Sequence, residues 1–288
     1  MPYLSLGWRI ALAGALVLIA LSGVLMLLRP QGRRGRAAVA AVRESGVVLA
    51  LFAMWQLAGT LAHHNAAGAV ERGRQLLDLE ATFHIATEHE TQRLIEGHAL
   101  LTQLCNGYYI YGHFNGLIIF LAWIFLRHQH LYPRVRLSVA LLTASCFVVH
   151  LVTVAPPRLL PGAGFVDTAA AYGQSVYGPT TLEVADQLSA FPSVHVGWAA
   201  IIAWWSWRAS PWRWGLLGMF HLVATSFVVV ATANHYWLDG LAAMAILAAA
   251  LGVQAMLPDR WGGSRRPVPA RVGSDDAGLD GKPQEALV

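Results

Sequence analysis

Long apolar runs, broken by short clusters of arginine, glycine and proline, recur along the whole chain. A membrane-spanning helix needs about 20 predominantly apolar residues. Seven segments are candidates: Trp8–Leu28, Ala37–Ala62, Cys105–Leu126, Leu137–Ala155, Ser193–Trp207, Trp214–Ala233 and His235–Leu257. The fifth is the shortest. The first has only Arg9 ahead of it and no small-residue cleavage pattern behind it, and the basic run from Arg29 to Arg36 follows. That pattern reads as a retained helix rather than a signal peptide. Residues 63–104 are too polar to span. Within them Leu76, Leu77, Leu79 and Phe83 fall at helical spacing among Glu71, Arg72, Arg74, Asp78 and Glu80. The spacing predicts an amphipathic helix, lying either in the membrane interface or as a solvated cap on the bundle. The tail 258–288 is rich in Gly, Pro, Asp and Arg, lacks periodicity, and is expected to be disordered.

Composition sharpens this picture. Of the 288 residues, 56% are hydrophobic and 12% charged, against about 45–50% and about 25% in soluble domains. A soluble enzyme and an extensively disordered chain are both excluded. The formal net charge of +4 would suggest nucleic acid for a soluble protein, but here the basic residues follow the membrane. Loops 29–43, 127–136, 208–213 and the tail 258–288 carry 15 of the 20 Lys and Arg residues. The positive-inside rule places them in the cytoplasm. The N-terminus and the loops 63–104 and 156–192 then lie outside. The chain reads as an all-α, multi-pass cell-membrane bundle of about seven transmembrane helices: 1–62 N-terminal helices, 63–104 an extracytoplasmic interfacial segment, 105–257 the transmembrane core. Cys105 and Cys146 form neither a disulfide framework nor a zinc-ligand pattern.

Chemistry gathers at the outer face. Phe191-Pro192-Ser193-Val194-His195 opens the fifth span, and Asn234-His235-Tyr236-Trp237-Leu238-Asp239 opens the seventh. Arg158 follows the fourth. Ionisable groups at membrane level are functional candidates, because burying them is costly. His235 and Asp239 stand at i and i+4, on one helix face. The carboxylate can hold one ring nitrogen and leave the other as nucleophile or base. Ser193, at a helix start, and the Arg158 fork can hold phosphate oxygens. The set describes phosphoryl transfer by a histidine nucleophile, a histidine acid/base and an anion cradle. Asn106, Tyr108, Tyr109, Tyr111 and His113 open the third span at the same face. They read either as an interfacial aromatic belt or as substrate contacts, with Asn106, Tyr109 and His113 the named candidates. His150 reads as a satisfied core histidine. The other histidines have no partner at a telling spacing, so no metal site is expected.

These motifs resemble the type 2 phosphatidic acid phosphatase superfamily, and within it the inositol phosphorylceramide synthase-like branch. The likeness runs from about Leu76 to Leu257. Its stretches are Tyr-Tyr-Ile-Tyr-Gly-His-Phe at 108–114, Ala-Pro-Pro-Arg-Leu-Leu-Pro-Gly from Ala155, and Gly-Phe-Val-Asp-Thr at 164–168. Phe-Pro-Ser-Val-His-Val-Gly-Trp-Ala at 191–199 and Ala-Asn-His-Tyr-Trp-Leu-Asp-Gly at 233–240 complete them. The resemblance implies a six-helix phosphatase-type core. It implies that His235 attacks phosphorus, Asp239 orients it, His195 protonates the leaving oxygen, and Ser193 and Arg158 bind phosphate. The chain departs from the pattern at Leu151, where a lysine is customary, at Leu159, where proline is, and at Val228 and Val229, where Ser-Arg is. Two customary cations are thus absent, and the phosphate would be held by fewer charges, with the Tyr108–His113 stretch assisting.

The expected protein is an integral membrane enzyme acting on a lipid-linked phosphate through a phosphohistidine, with no cofactor and no nucleic-acid partner. Water as acceptor gives a phosphatase. A polyol or lipid alcohol gives a head-group transferase. A non-catalytic lipid-binding protein on this fold would show decay of the five central residues, and all five are present. A transporter would show paired broken helices or internal repeats, and none is seen. Topology is directly testable: a cysteine placed in 163–190 should react with an impermeant maleimide in intact cells. Labelling only after permeabilisation would invert the topology.

Overall fold

The computed structural model describes residues 7–28, 32–63, 67–83, 87–175 and 187–257. The expected tail 258–288 lies outside them. The described residues are helical, and the exception to helix and loop is one isolated bridge between Val154 and Ser189. In chain order the helices are α1 (Trp8–Leu27), α2 (Gly32–His63), α3 (Ala69–Thr82), α4 (Glu88–Arg93) and α5 (Ala99–Gly107). The π turn Tyr108–Gly112 joins α5 to α6 (His113–Arg127). Then come α7 (Tyr132–His150), α8 (Thr168–Ala171), α9 (Val194–Ala209), α10 (Trp212–Ala231) and α11 (Trp237–Met256).

Among the described residues, six helices are long and apolar enough to cross a membrane: Trp8–Leu27, Arg34–Met54, Ala99–Arg127, Tyr132–His150, Trp212–Ala231 and Trp237–Met256. The chain is a multi-pass helical membrane protein. The remaining candidate, α9, has 16 residues. At 1.5 Å per residue it is about 24 Å long, short of a hydrocarbon core of about 30 Å. Its position explains this. α9 packs against α6, α7, α10 and α11, and much of it is buried in protein. The third span also starts earlier than its apolar run suggests. Its helix begins at Ala99, so Asn106 to His113 form inner turns around the π turn rather than a helix start. A π turn displaces the side chains that follow it and is frequent at functional sites.

The main core joins Leu117, Phe120 and Ile124 of α6 to Val135, Leu142 and Cys146 of α7, and to Ile201 and Trp205 of α9. Buried polar groups inside it are paired, as low dielectric demands: Trp205 Nε1 donates to Ser138 Oγ (3.1 Å) and Trp198 Nε1 to Thr143 Oγ1 (3.0 Å). An ion pair from Glu44 to Arg136 ties α2 to α7. The amphipathic segment is a helix, α3. Leu76 and Leu77 pack toward Val154, Ala190 and Tyr236, while Leu79 and Phe83 stay exposed. The helix therefore grips the loop that carries Arg158.

Gly73 permits that grip. A Cβ there would lie 2.7 Å from the Ala155 carbonyl oxygen and 2.8 Å from the Tyr236 hydroxyl. In an open helix, glycine to alanine gains about 1 kcal/mol. Here overpacking against backbone opposes it by about 1–3 kcal/mol. Gly73→Ala is therefore expected to lower the melting temperature in detergent. Gly23→Ala, which meets nothing within 4 Å, should not.

Candidate active site

Two helix starts build the site. Ser193 is the N-cap of α9, its hydroxyl accepting the Val196 N–H at 3.3 Å, which fixes His195 in the first turn. The other helix start follows α10. Thr232 closes that helix by donating to the Val228 carbonyl at 2.8 Å. Ala233 then takes φ +53°, a left-handed conformation that disfavours side chains by about 1–2 kcal/mol. The reversal lets the Asn234 and His235 N–H groups both reach the Val229 carbonyl, each at 3.1 Å. It also points the Ala233 carbonyl at the Arg158 N–H, 3.0 Å away. The Ser193 N–H donates to the Asp239 carbonyl (3.1 Å) and so stitches the start of α9 to that of α11.

The side chains form a chain of contacts. Asp239 Oδ2 lies 3.0 Å from His235 Nδ1 and accepts the Tyr236 N–H at 2.9 Å. The Ala190 carbonyl is 2.9 Å from the same Nδ1. Two acceptors face this nitrogen, so the hydrogen-bond pattern assigns it the proton and leaves the lone pair on Nε2. That lone pair meets His195 Nδ1 at 2.9 Å. The Ala190 carbonyl is delivered by the paired loops: Val154 N–H donates to Leu188 (2.7 Å) and Ala190 N–H to Val154 (3.2 Å). Tyr236, pushed up by burial and then by the Asp239 charge, keeps its proton and donates to the Ala155 carbonyl at 2.6 Å.

Arg158 sits on the short 3-10 turn Pro157–Leu159. Its Nε donates to Asn234 Oδ1 at 2.8 Å. Its Nη1 donates to Asp167 Oδ2 at 2.9 Å and to Gln187 Oε1 at 3.3 Å. Of the aromatic stretch, Tyr109 and His113 reach the histidines. The Tyr109 ring is 5.1 Å from that of His195. The His113 ring meets His195 edge-on at 4.1 Å, and its buried Nδ1 has no hydrogen-bond partner among the described residues. Tyr108 instead bonds Thr225 and His221, both at 2.8 Å. Asn106 is spent on the loop: it donates to the Thr168 carbonyl (3.1 Å) and to Gln174 Oε1 (3.0 Å), and accepts from the Thr168 hydroxyl (2.8 Å). It borders, with Tyr109, Arg158, Asp167 and Asn234, a cavity of about 10 Å³, close to the space of one water. His150 is a paired core histidine, with Nε2 2.9 Å from the Pro192 carbonyl.

Asn234 and Asp167 lie inside the motifs singled out from the sequence, but spacing alone gives neither a role. The signal that marks them is adjacency, to His235 and to the glycine-rich turn. A cavity of about 760 Å³ lies between the α1–α2 hairpin and α6–α7. Its lining includes Leu18, Val48, Phe52, Leu117, Val139 and Trp198. The Trp198 ring is 6.5 Å from His113. Among the described residues no group of three or more His, Cys, Asp or Glu side chains is arranged to hold a metal.

Residues 74–253, more than half of the chain, match the family model described as the PAP2 superfamily. No curated protein and no solved structure matches the chain. The matched span contains every residue of the site described above.

Asn234 is buried between Thr232 and Arg158, its Nδ2 donating to Thr232 Oγ1 at 2.9 Å. Asn234→Ala removes the acceptor of the Arg158 Nε–H. The expected loss is about 1–3 kcal/mol of stability, read as a lowered melting temperature in detergent.

Proposed function

We propose, from the premise that the chain belongs to the PAP2 superfamily, that it is an integral membrane lipid-phosphate phosphatase or phosphotransferase working through a phosphohistidine. The family is one of phosphatase-type membrane proteins. The observation that carries the finer reading is the Asp239–His235–His195 chain, in which a buried carboxylate holds Nδ1 and leaves the Nε2 lone pair directed at a second imidazole.

In this reading His235 Nε2 attacks phosphorus. The P–O bond to the lipid breaks, and the leaving oxygen takes a proton from His195. Asp239 offsets the positive charge that develops on the His235 ring. In the second step His195 removes a proton from the acceptor hydroxyl, whose oxygen attacks phosphorus and breaks the P–N bond. Arg158 and the N–H groups at the start of α9 neutralise the phosphoryl oxygens. Without substrate, His195 stands where the phosphorus must enter, so its side chain withdraws when phosphate binds. The apolar cavity, whose lining includes Trp198, suits a hydrocarbon chain, which supports a lipid substrate. The basic loops at the opposite membrane level support an extracytoplasmic site in the cell membrane.

A second reading is a head-group transferase of the inositol phosphorylceramide synthase-like kind, with a polyol or lipid alcohol as acceptor. It is favoured by the burial of His235, which limits water, and by valines at 228 and 229 in place of the customary Ser-Arg. Product analysis with labelled lipid phosphate, with and without inositol or a lipid alcohol, separates the two.

The histidine roles separate by trapping. Acid-labile phosphate from labelled substrate should accumulate on wild type and on His195→Ala and be absent from His235→Ala. His195→Ala should recover activity with a nitrophenyl leaving group by about 10²–10⁴-fold, the usual contribution of general acid catalysis. Asp239→Asn should lower turnover steeply with little change in KM. Equal trapping on His235→Ala would overturn the assignment.

A further inference from the structure

The first turn of α11 carries Asp239, and side chains from outside the membrane-spanning helices hold its backbone. A helix start leaves N–H groups without intrahelical partners. Here the Tyr236 N–H goes to Asp239 itself. The next two go elsewhere. Trp237 N–H donates to Glu88 Oε1 at 3.4 Å, and Leu238 N–H donates to Glu80 Oε1 at 2.6 Å. Glu80 lies on α3 and Glu88 on α4, and each is 2% exposed. Two carboxyl groups so deeply buried are unfavourable unless hydrogen bonds compensate. The N-cap residue, Tyr236, takes neither of these two N–H groups, and its hydroxyl donates to the Ala155 carbonyl.

We propose that Glu80 and Glu88 are positioning residues: by accepting the Leu238 and Trp237 N–H groups they fix the first turn of α11 and keep Asp239 on His235 Nδ1. The inference rests on the reading of His235 as nucleophile. Its physical basis is competition for Asp239. If the two N–H groups lose their acceptors, the nearest remaining carboxylate is Asp239, one or two residues along. Drawn to cap its own helix, it leaves His235 Nδ1 with the Ala190 carbonyl alone, which still accepts the ring proton but carries no charge to offset the one that develops on the imidazole. The interfacial segment thereby acts on the chemistry without touching the substrate.

The form of Glu80 follows from its surroundings. The titratable groups facing it are Glu88 of α4, and Tyr236 and Asp239 at the start of α11. Burial first, and then the Glu88 carboxyl, push Glu80 up to about 9. At neutral pH it holds its proton and acts as a neutral carbonyl acceptor, a role that glutamine reproduces. The folded chain keeps a proton that the unfolded chain releases above about 4.5. Its stabilising effect is therefore full below that pH and is lost as pH rises toward about 9.

The experiment uses full-length protein in nanodiscs with ¹⁵N-labelled histidine, the His235 resonance being the one lost in His235→Ala. Glu80→Gln should keep the Nδ1–H signature and the turnover, and should flatten the loss of melting temperature toward alkaline pH. Glu80→Leu should shift the Nδ1–H proton signal upfield, the mark of a carboxylate acceptor lost, and lower kcat by about 10²-fold, the scale of small misplacements, with KM little changed. A Glu80→Leu protein with the wild-type signature and kcat would overturn the proposal, as would a Glu80→Gln protein that loses either. Should Glu80→Leu not fold, Glu80→Gln alone decides: a lost signature or an unflattened pH slope overturns it. A wild type that traps no phosphate would refute the nucleophile reading instead, and the resonance would still report whether Glu80 holds Asp239 in place.

Discussion

The site depends on one buried contact, the Asp239 carboxylate against His235 Nδ1. An imidazole free to choose its tautomer presents a lone pair or an N–H from Nε2 with little preference. A carboxylate and a carbonyl on Nδ1 remove the choice. The same Asp239 oxygen accepts a backbone N–H at the start of α11, so one atom both begins the helix and orients the ring. This coupling makes the geometry of the helix start and the chemistry of the site a single problem. Each structural device around it serves that first turn: the left-handed Ala233, the stitch from Ser193 to Asp239, and the two glutamates from the segment outside the membrane-spanning helices.

The bundle explains how polar groups of this kind are tolerated at membrane level. α9 is short because protein rather than lipid surrounds it, and its N-terminus is set among α6, α7, α10 and α11. At that end Tyr109 links the two parts of the site: it borders a small cavity with Arg158, and its ring lies against those of His195 and His235. The guanidinium donates to oxygens of Asn234, Asp167 and Gln187. A cation held this way is fixed in direction. Trp198, its ring 6.5 Å from that of His113, also lines the apolar cavity.

Much of this was legible in the sequence because two strong signals coincide. Apolar runs of membrane-spanning length mark the helices, and the i, i+4 spacing of His235 and Asp239 survives directly as a contact. The meeting of His195 with His235 followed from placing both at the same membrane level. Other features left no such trace. Asn106 has the composition of a substrate contact, but its amide is consumed in pinning the 168–174 loop, a pairing between residues 62 apart. The early start of the third span was hidden because Leu100, Leu101 and Leu104 sit beside polar neighbours and the π turn breaks the period. Glu80 reads as one of the polar residues of an amphipathic helix, and Glu88 carries no signal of its own. Their burial arises from tertiary contact with α11, some 150 residues away, which no local pattern encodes.

The central claim is that His235 Nε2 is the atom that receives phosphorus. A structure of the full-length protein with vanadate tests this most directly. The predicted result is vanadium bonded to His235 Nε2, its oxygens toward Arg158 and the α9 N-terminus, and the His195 ring displaced from its contact with His235. Vanadate bound elsewhere, with the 2.9 Å contact between the two histidines intact, would contradict it.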